Sequence, residues 1–142
     1  MERTGAWERI SNKLKNVSAL HERLKSGVDI AGHLIEERMV KRFEIGGPGW
    51  APKKIVQEGH SEKPLVDTGA LMQSISWNKT GDLSGLVGVM RQNDATGFNI
   101  ALAHEMGTRK MPARPFVVPT AVECKGPVLE IFKKQIRDWL KE

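Results

Sequence analysis

His104 and Glu105 are adjacent residues whose side chains could bind a metal ion or transfer protons. The helical zinc-protease motif requires a second histidine four residues after the first, so that both imidazoles lie on one face of the helix. Thr108 occupies that position, and the motif is therefore excluded. The four histidines and the single cysteine of the chain show no spacing typical of zinc ligands. We predict instead a hydrogen-bonded cluster, in which His104 bonds a backbone carbonyl and Glu105 pairs with Arg109 or Arg114.

Two other features are also typical of active sites. As a nucleophile, Cys124 would need a basic partner, but its helical, partly apolar surroundings in the sequence indicate a small buried residue. Asp67, Thr68 and Gly69 form the triplet of aspartic proteases, in which two carboxylates share a proton. One copy could act only in a dimer, and a simpler interpretation is that Asp67 or Thr68 caps a short helical turn. Because the sequence also has no Gly-x-x-x-x-Gly-Lys phosphate loop, we expect no enzyme activity, metal or cofactor.

Residues 112–116, Pro-Ala-Arg-Pro-Phe, form a stiff segment that fixes the direction of one cation and one aromatic ring. Proline restricts its own φ and disfavours the helical region for the residue before it. We therefore expect Met111 and Arg114 to be extended and Phe116 to leave the segment at a defined angle. A guanidinium held between prolines loses little entropy when it forms bidentate contacts with carboxylates. Arg114 suits a salt bridge to a neighbouring subunit, although a pair within the chain fits equally well.

The charge and the apolar pattern exclude several classes of protein. No apolar run approaches the roughly 18–20 residues of a membrane span, so we expect no membrane segment. The N-terminus contains an acidic residue and no apolar core, which argues against a signal peptide. A lone cysteine fits synthesis in a reducing compartment. The net charge of +5 fits contact with nucleic acid or with an acidic protein surface, but most basic residues alternate with acidic ones.

Apolar residues recur every three or four positions over residues 4–44, which predicts an amphipathic helix there. The Gly-Gly-Pro-Gly sequence at 46–49 ends it. Because forty residues is long for one helix of a globular protein, we expect a kink or a break at Ser26-Gly27, where glycine costs about 1 kcal/mol relative to alanine. The apolar stripe either packs in the core or projects to pack against neighbouring subunits.

The middle of the chain predicts a loop and a β-hairpin. Residues 46–66 have no regular apolar pattern, and the polar part of this loop, 53–63, is a candidate to become ordered only against a partner. Polar and apolar residues alternate over 74–77, as in a half-buried strand. A turn at 79–82 and a return strand at 83–89 complete the predicted hairpin.

Two further helices are expected near the C-terminus. Residues 97–106 suit either a strand or a short helix, and Ala-Leu-Ala at 101–103 favours a helix that contains the His-Glu pair. A last helix follows residue 118, with Thr120 as a candidate N-cap. Its more certain part starts at Pro127, since proline suits the first turn of a helix, and runs to about Lys141.

A chain of 142 residues is long enough for one hydrophobic core and too short for two. Helices followed by strands and a last helix, without alternating β-α-β units, predict an α+β fold. It should contain a long N-terminal helix or helix pair, a small antiparallel β-sheet and a C-terminal helix. We expect a single domain over residues 1–142, divided into a helical arm (1–45), a loop (46–66), a sheet-containing core (67–118) and a C-terminal helix (119–142).

Three blocks, in their characteristic order, resemble a known family. Gly-Trp-Ala-Pro at 49–52 resembles a Trp-x-Pro element that follows the N-terminal helices. Residues 65–75 resemble the family's Leu-x-Asp-Thr-Gly-x-Leu-x-x-Ser-Ile block. Residues 101–116 resemble its Tyr-Ala-x-x-His-Glu-x-Gly-Thr sequence followed by Pro-Ala-Arg-Pro-Phe, with Ile100 in place of the tyrosine. The sequence therefore resembles the phage virion morphogenesis family of tail-completion proteins and, more distantly, the head–tail neck proteins of long-tailed phages.

The resemblance implies a structural protein that completes the tail or joins it to the head. It also implies a ring around the DNA channel, sixfold by analogy, located in the virion and assembled in the cytoplasm of the bacterial host. The implied partners are further copies of the chain, tail-tube or head-connector proteins and, without sequence readout, the packaged DNA. The positions that carry the resemblance are Trp50, Pro52, Asp67, Thr68, Gly69, Leu71, Ser74, His104, Glu105, Gly107, Thr108, Pro112, Arg114, Pro115 and Phe116.

A ring with a head-to-tail interface needs two different complementary patches on each subunit. We expect the N-terminal helix and the loop at 53–63 to form one patch. The segment 112–116, presenting Arg114 and Phe116, would belong to the other. Two alternatives are a nucleic-acid-binding accessory protein, whose DNA affinity would fall steeply with salt, and a small hydrolase built on His104 and Glu105.

Overall fold

The computed structural model describes residues 2–45, 70–89, 99–109 and 113–142, and the predicted loop at 46–66 lies outside them. Within these ranges the fold is α+β, as predicted, with helices at both ends of the chain and one two-stranded antiparallel sheet. None of the described helices combines the length and the apolar character that crossing a bilayer would require. The elements are α1 (Glu2–Lys15), α2 (Val17–Ile45), α3 (Ala70–Gln73), β1 (Ile75–Gly81), β2 (Ser84–Val89), α4 (Ile100–Met106) and α5 (Val117–Lys141).

The N-terminal helical region is a pair of helices, and the break between them lies at Asn16. A kink or a break was expected at Ser26-Gly27, and the break is wrong, because α2 continues through both residues. Gly27 is buried against α5, where an added Cβ would lie 3.1 Å from a ring carbon of Phe132. The glycine therefore allows close approach of two helices, which offsets its low helix propensity.

The predicted hairpin is confirmed, with Ile75 paired to Val89 at its open end. Its turn is the dipeptide 82–83, shorter than the predicted turn at 79–82. The register shifts between Lys79 and Gly81, so that Thr80 is an extra residue in β1. Such a bulge increases the local twist of a two-stranded ribbon.

The hairpin is anchored on α2 by the indole of Trp77. Two glycines make room for this ring: an added Cβ at Gly32 of α2 would lie 2.3 Å from it, and one at Gly85 of β2 would lie 1.7 Å from it. The backbone N–H of Trp77 donates to Oε2 of Glu36 at 2.8 Å, and Lys79 Nζ lies 2.9 Å from a carboxylate oxygen of Asp29. Small residues and polar contacts therefore fix the sheet to the central helix.

The core lies where α2, the hairpin and the start of α5 meet. Phe43 and Phe116 are fully buried at its centre, and their rings form an edge-to-face pair with centroids 5.0 Å apart. The cluster consists of Met39, Phe43, Leu71, Ile75, Val89 and Phe116. It joins residues from four separate parts of the chain and so holds the domain together.

The last helix starts at Val117 and contains Pro127, so Pro127 does not begin it. Thr120 is not its N-cap either: it is buried inside the first turns, where its hydroxyl donates to the Phe116 carbonyl at 2.6 Å. The helix starts earlier than predicted because its first N–H groups are satisfied by a residue of α4. Arg42 of α2 also donates to the Thr120 hydroxyl oxygen at 3.1 Å, which ties α5 to the central helix.

Candidate functional site

The short helix α4, which carries the His-Glu pair, is fixed at both ends by local contacts. It begins after Asn99, whose side-chain Oδ1 accepts a hydrogen bond from the backbone N–H of Leu102 at 2.9 Å. It ends at Gly107, which has a φ of 75° and whose N–H donates to the Ala103 carbonyl at 2.8 Å. The helix predicted for this region is therefore confirmed, and the glycine of the His-Glu-x-Gly-Thr block is its C-cap.

The carboxylate of Glu105 caps the N-terminus of α5. Oε2 accepts hydrogen bonds from the backbone N–H groups of Phe116 at 2.8 Å and Val117 at 3.0 Å, and Oε1 accepts one from Val118 at 3.0 Å. The first N–H groups of a helix have no partner within the helix, and an anion near them is further stabilised by the helix dipole. Because Phe116 offers no side-chain cap of its own, Glu105 supplies the cap from another element.

Arg114 lies inside the fold and not on its surface. It is 4% exposed, and its backbone N–H donates to the carbonyl of His104 at 2.6 Å, which fastens the proline-rich segment to α4. The prediction that this segment presents Arg114 and Phe116 to a neighbouring subunit is wrong, since both side chains are buried within one chain. Glu105 accepts hydrogen bonds from three backbone N–H groups at the start of α5, which are partners that the sequence analysis did not predict.

His104 is held in its neutral form at pH 7. Burial, followed by the positive charge of Arg114, lowers the pKa of the imidazole to about 4. Its Nδ1 is buried and accepts or donates no hydrogen bond within the described part of the chain, so the predicted bond to a backbone carbonyl does not form at that nitrogen. A neutral ring beside a carboxylate that already accepts three hydrogen bonds suits a structural anchor better than proton transfer.

We use the name junction for residues 99–109 together with 113–118, which these contacts join. The junction connects α4, the extended segment and the start of α5, and it contains the described part of the last of the three sequence blocks, residues 101–116. The Glu105 carboxylate and the backbone N–H of Arg114 contact backbone atoms of the same chain. Within the described residues, the hydrogen bonds of the junction join α4 to the start of α5.

The remaining candidate residues divide into described and undescribed ones. Leu71 is buried in the core, and Ser74 donates its hydroxyl to the Leu71 carbonyl at 2.7 Å, which closes the helical turn α3. Thr108 is exposed and Pro115 is half-buried. Outside the described residues lie Trp50, Pro52, Asp67, Thr68, Gly69 and Pro112.

Cys124 is buried on α5, which confirms the interpretation of this residue as a small core side chain. Burial is the largest cause that raises the pKa of its thiol, so the thiol is protonated at neutral pH. In the ranges that the structure describes, no three or more His, Cys, Asp or Glu side chains are grouped closely enough to hold a metal ion.

Two apolar surfaces are exposed, of which the sequence analysis expected a contact patch on the N-terminal helix but did not predict the second. The first, called the ridge, consists of Trp7, Ile10 and Leu14 along one face of α1. The second, called the groove, is a cleft of about 730 Å³ between the hairpin and α5, with α2 as its floor. The spacing of the ridge residues was visible in the sequence, but their exposure depends on the break at Asn16, which separates α1 from the buried part of the stripe.

No model of a known protein family matches the chain, and neither a curated protein nor a solved structure does. Function must therefore be inferred from the chain's own residues and from their geometry.

Proposed function

We propose that the protein is a structural component of a phage virion, which completes the tail or joins the tail to the head as a ring around the DNA channel. The observation that carries the proposal is the amount of apolar surface left exposed on the folded chain. Trp7 is 67% exposed, Leu14 is 63% exposed and Val122 is 71% exposed. Trp7 and Leu14 lie two turns apart on one face of α1, and an exposed apolar face of this kind marks a candidate site of protein–protein contact.

The contacts within the junction also support this proposal. The carboxylate of Glu105 accepts hydrogen bonds from the start of α5, and the backbone N–H of Arg114 donates to the carbonyl of His104 in α4, so both residues help to hold α4 and α5 together. Their arrangement gives a firm scaffold on which exposed surfaces can be presented. The resemblance of the three sequence blocks to tail-completion proteins supplies the kind of assembly: copies of the chain in a sixfold ring, in contact with tail-tube or head-connector proteins.

Contact with packaged DNA is a secondary part of the proposal. A net charge of +5 would be favourable beside phosphates and would require no sequence readout. If the free protein binds DNA with an affinity that falls steeply with salt, and virions form without it, the nucleic-acid-binding alternative replaces the structural role.

The proposal is tested by deleting the gene from a phage or an inducible prophage that carries it and examining the particles by electron microscopy. We expect filled heads and separate tails, and we expect joined virions again when the wild-type gene is supplied in trans. Joined, infectious particles in the absence of the gene would overturn the proposal.

A further inference from the structure

We propose that the groove binds an extended segment of a partner protein, called the guest, which adds a strand to the free edge of β2. The guest carries small apolar side chains at alternate positions and a carboxylate beside Lys125. This mode of binding goes beyond the virion role and does not depend on it, because backbone groups of the hairpin provide it.

The backbone groups of β2 point alternately toward β1 and away from it. Trp77 and Val87 are opposite each other in the antiparallel hairpin. Because the N–H of Trp77 donates to Glu36 of α2, this pair does not exchange hydrogen bonds, and the N–H and carbonyl of Val87 point away from β1. By alternation, those of Gly85 do so too. Among the described residues, neither Val87 nor Gly85 forms a backbone hydrogen bond outside the hairpin ladder.

The two edges of the hairpin differ in how well they are protected. On β1, the carboxylate of Glu36 covers the N–H of Trp77. Further along, Asp29 pairs with Lys79, and the bulge twists the end of the strand. Charges and bulges of this kind prevent a further strand from pairing, whereas β2 has the sequence Ser-Gly-Leu-Val-Gly-Val, without a charged residue or a proline. The edge of β2 is therefore the one suited to accept another strand.

The free edge of β2 forms one wall of the groove. Gly85 and Val87 line this wall, and Val122 of α5 is exposed on the opposite one. The floor is α2, where Val28 and Ile35 are half-buried. A strand paired with β2 would direct every second side chain toward this floor. The cleft of about 730 Å³ therefore admits a short extended segment whose alternate side chains are apolar.

The lining also determines the charge of the guest. Apart from Ser84 and Lys125, it consists of apolar residues, glycine and the cysteine. Lys125 is exposed, and the neighbouring carboxylate of Glu123 is already paired with Arg38 and Arg42. A carboxylate on the guest is favourable beside the Lys125 ammonium, and a second cation there is unfavourable.

The described strands of a second copy do not fit the groove. The outer edge of β1 is covered by α2 in every copy. The edge of β2 is free, but it lies inside an identical groove between the hairpin and α5. Pairing two such edges would drive α5 of each copy against the hairpin of the other. The guest is therefore a segment of a different protein, and self-pairing is distinguished by experiment.

Amide hydrogen exchange of the free protein tests whether the edge is empty. The N–H groups of Leu86 and Gly88 point toward β1, and those of Gly85 and Val87 point into the groove. We expect exchange at Gly85 and Val87 to be at least about tenfold faster than at Leu86 and Gly88, the matched controls in the same strand. Equal protection would show that a segment of the same chain pairs with β2, and protection that rises with concentration would show that a second copy does. Either result would overturn the proposal.

A synthetic peptide tests the addition of a strand. The probe is acetyl-Thr-Val-Thr-Val-Glu-Val-Thr-amide, in which valines alternate with polar residues and one of these is a carboxylate. At saturation it should slow exchange at Gly85 and Val87 by at least about tenfold and leave the amides of α1 unchanged. Absence of binding up to about 1 mM, or binding without this protection, would overturn the proposal.

Methylation of peptide nitrogens separates strand pairing from apolar contact alone. One version of the probe is methylated at the valine nitrogens, and another at the nitrogens of the central threonine and the glutamate. Each change removes donors from one edge of the guest, because the N–H groups of alternate residues share an edge. Only one edge faces β2, so one version should lose at least about tenfold more affinity than the other. Equal affinities of the two versions would contradict strand addition.

Charge reversal tests the groove from the side of the protein. Lys125→Glu should weaken binding of the probe by about fivefold, and a probe with lysine in place of its glutamate should bind this variant better than the wild type. Val122→Glu should also weaken binding, because it places a charge on the apolar wall. The matched controls are Lys133→Glu and Leu129→Glu, which change exposed residues of α5 outside the groove. If the probe binds all four variants alike, it binds elsewhere and the proposal is wrong.

The strand-binding site and the virion role fail separately. If the gene is required for joined virions but the probe gives no protection at Val87, the virion role stands and the strand-binding site falls. If the probe protects Val87 and virions assemble without the gene, the site stands and the virion role falls.

Discussion

The junction and the ridge use similar residue types in opposite ways. Phe116 of the junction is fully buried, whereas Trp7 of the ridge leaves most of its ring in solvent. Arg114 is likewise buried, while Arg9 and Lys13 flank the ridge near the surface. The difference teaches that the most recognisable sequence block stabilises the single chain, whereas the exposed apolar face of α1 carries no recognisable motif.

The largest expected difference in stability between the junction and the ridge comes from Phe116→Ala in the junction. Removing a fully buried ring that packs edge-to-face on Phe43 should lower the free energy of unfolding by about 3–5 kcal/mol, because the cavity and the lost apolar contacts add. Urea denaturation followed by circular dichroism measures this. The matched control is Trp7→Ala in the ridge, which should change the free energy of unfolding by less than about 0.5 kcal/mol. Equal effects of the two variants would mean that the junction and the ridge do not differ in role.

Signals that lie close together in the sequence predicted much of the fold. The alternation at 74–77 and the glycine-containing turn gave a correct hairpin, and the Ala-Leu-Ala run correctly favoured a helix for residues 100–106. The α+β class followed from the order of these elements. Apolar period and turn residues are local properties, and a sequence shows them without knowledge of the tertiary contacts.

Features that depend on distant partners could not be predicted. The start of α5 was placed too late because its cap is Glu105, eleven to thirteen residues upstream, and not a residue at the helix end. Gly27 was interpreted as a helix break because its contact with Phe132 joins residues more than a hundred positions apart. The burial of Arg114 has the same cause, since proline stiffness fixes a direction but not what lies in that direction.

The next largest expected effect is a loss of folding stability at low pH, which is caused by His104 of the junction. The pKa of His104 is about 4 in the folded chain against 6.5 as its ordinary value, because the ring is buried beside Arg114. Above pH 6.5 the ring is neutral in both states, and between pH 6.5 and 4 the unfolded chain binds a proton that the folded chain does not. Stability should therefore fall by about 2–3 kcal/mol as the pH is lowered through this window, and the fall should level off below pH 4.

Urea titrations at steps between pH 7.5 and 3 measure the effect as the difference between wild type and His104→Gln. Carboxylates whose pKa is lowered by ion pairs, such as Asp29 and Asp82, lose their contribution at lower pH in both proteins and cancel in the difference. His33→Gln is the control, because His33 is exposed on α2. If His104→Gln keeps the wild-type pH profile, the imidazole of His104 is not desolvated in the folded chain. Burial of a polar side chain would then not distinguish the junction from the ridge.

Glu105→Ala should reduce the free energy of unfolding by about 1–2 kcal/mol. The change removes the acceptor of three backbone N–H groups at the start of α5 and the favourable interaction of a carboxylate with the helix dipole. Glu105→Gln keeps one acceptor oxygen and should lose about half as much. Glu37→Ala, which removes an exposed carboxylate paired with Lys41 on α2, should leave the free energy of unfolding nearly unchanged.

Hydrogen exchange measured by NMR locates the loss. In Glu105→Ala, amide protection should decrease first at Val117 and Val118, whose N–H groups donate to the Glu105 carboxylate in the wild type. The amides of the hairpin should keep their protection. Uniform loss along the chain would mean that the carboxylate does not act as a local cap, and the account of the junction as a fastening between α4 and α5 would then be wrong.

The smallest expected effect is the difference in stability between Gly32→Ala and Gly27→Ala, two substitutions in α2. It compares a tight contact with the hairpin and a looser contact with α5. Gly32→Ala should destabilise by about 1 kcal/mol, because a Cβ 2.3 Å from the Trp77 indole forces the hairpin away from α2 and outweighs the gain in helix propensity. Gly27→Ala meets Phe132 at 3.1 Å, where a small shift of one ring is enough, so the propensity gain should leave stability nearly unchanged. A reversed order of the two stabilities would show that α5, and not the hairpin, is the tighter neighbour of α2.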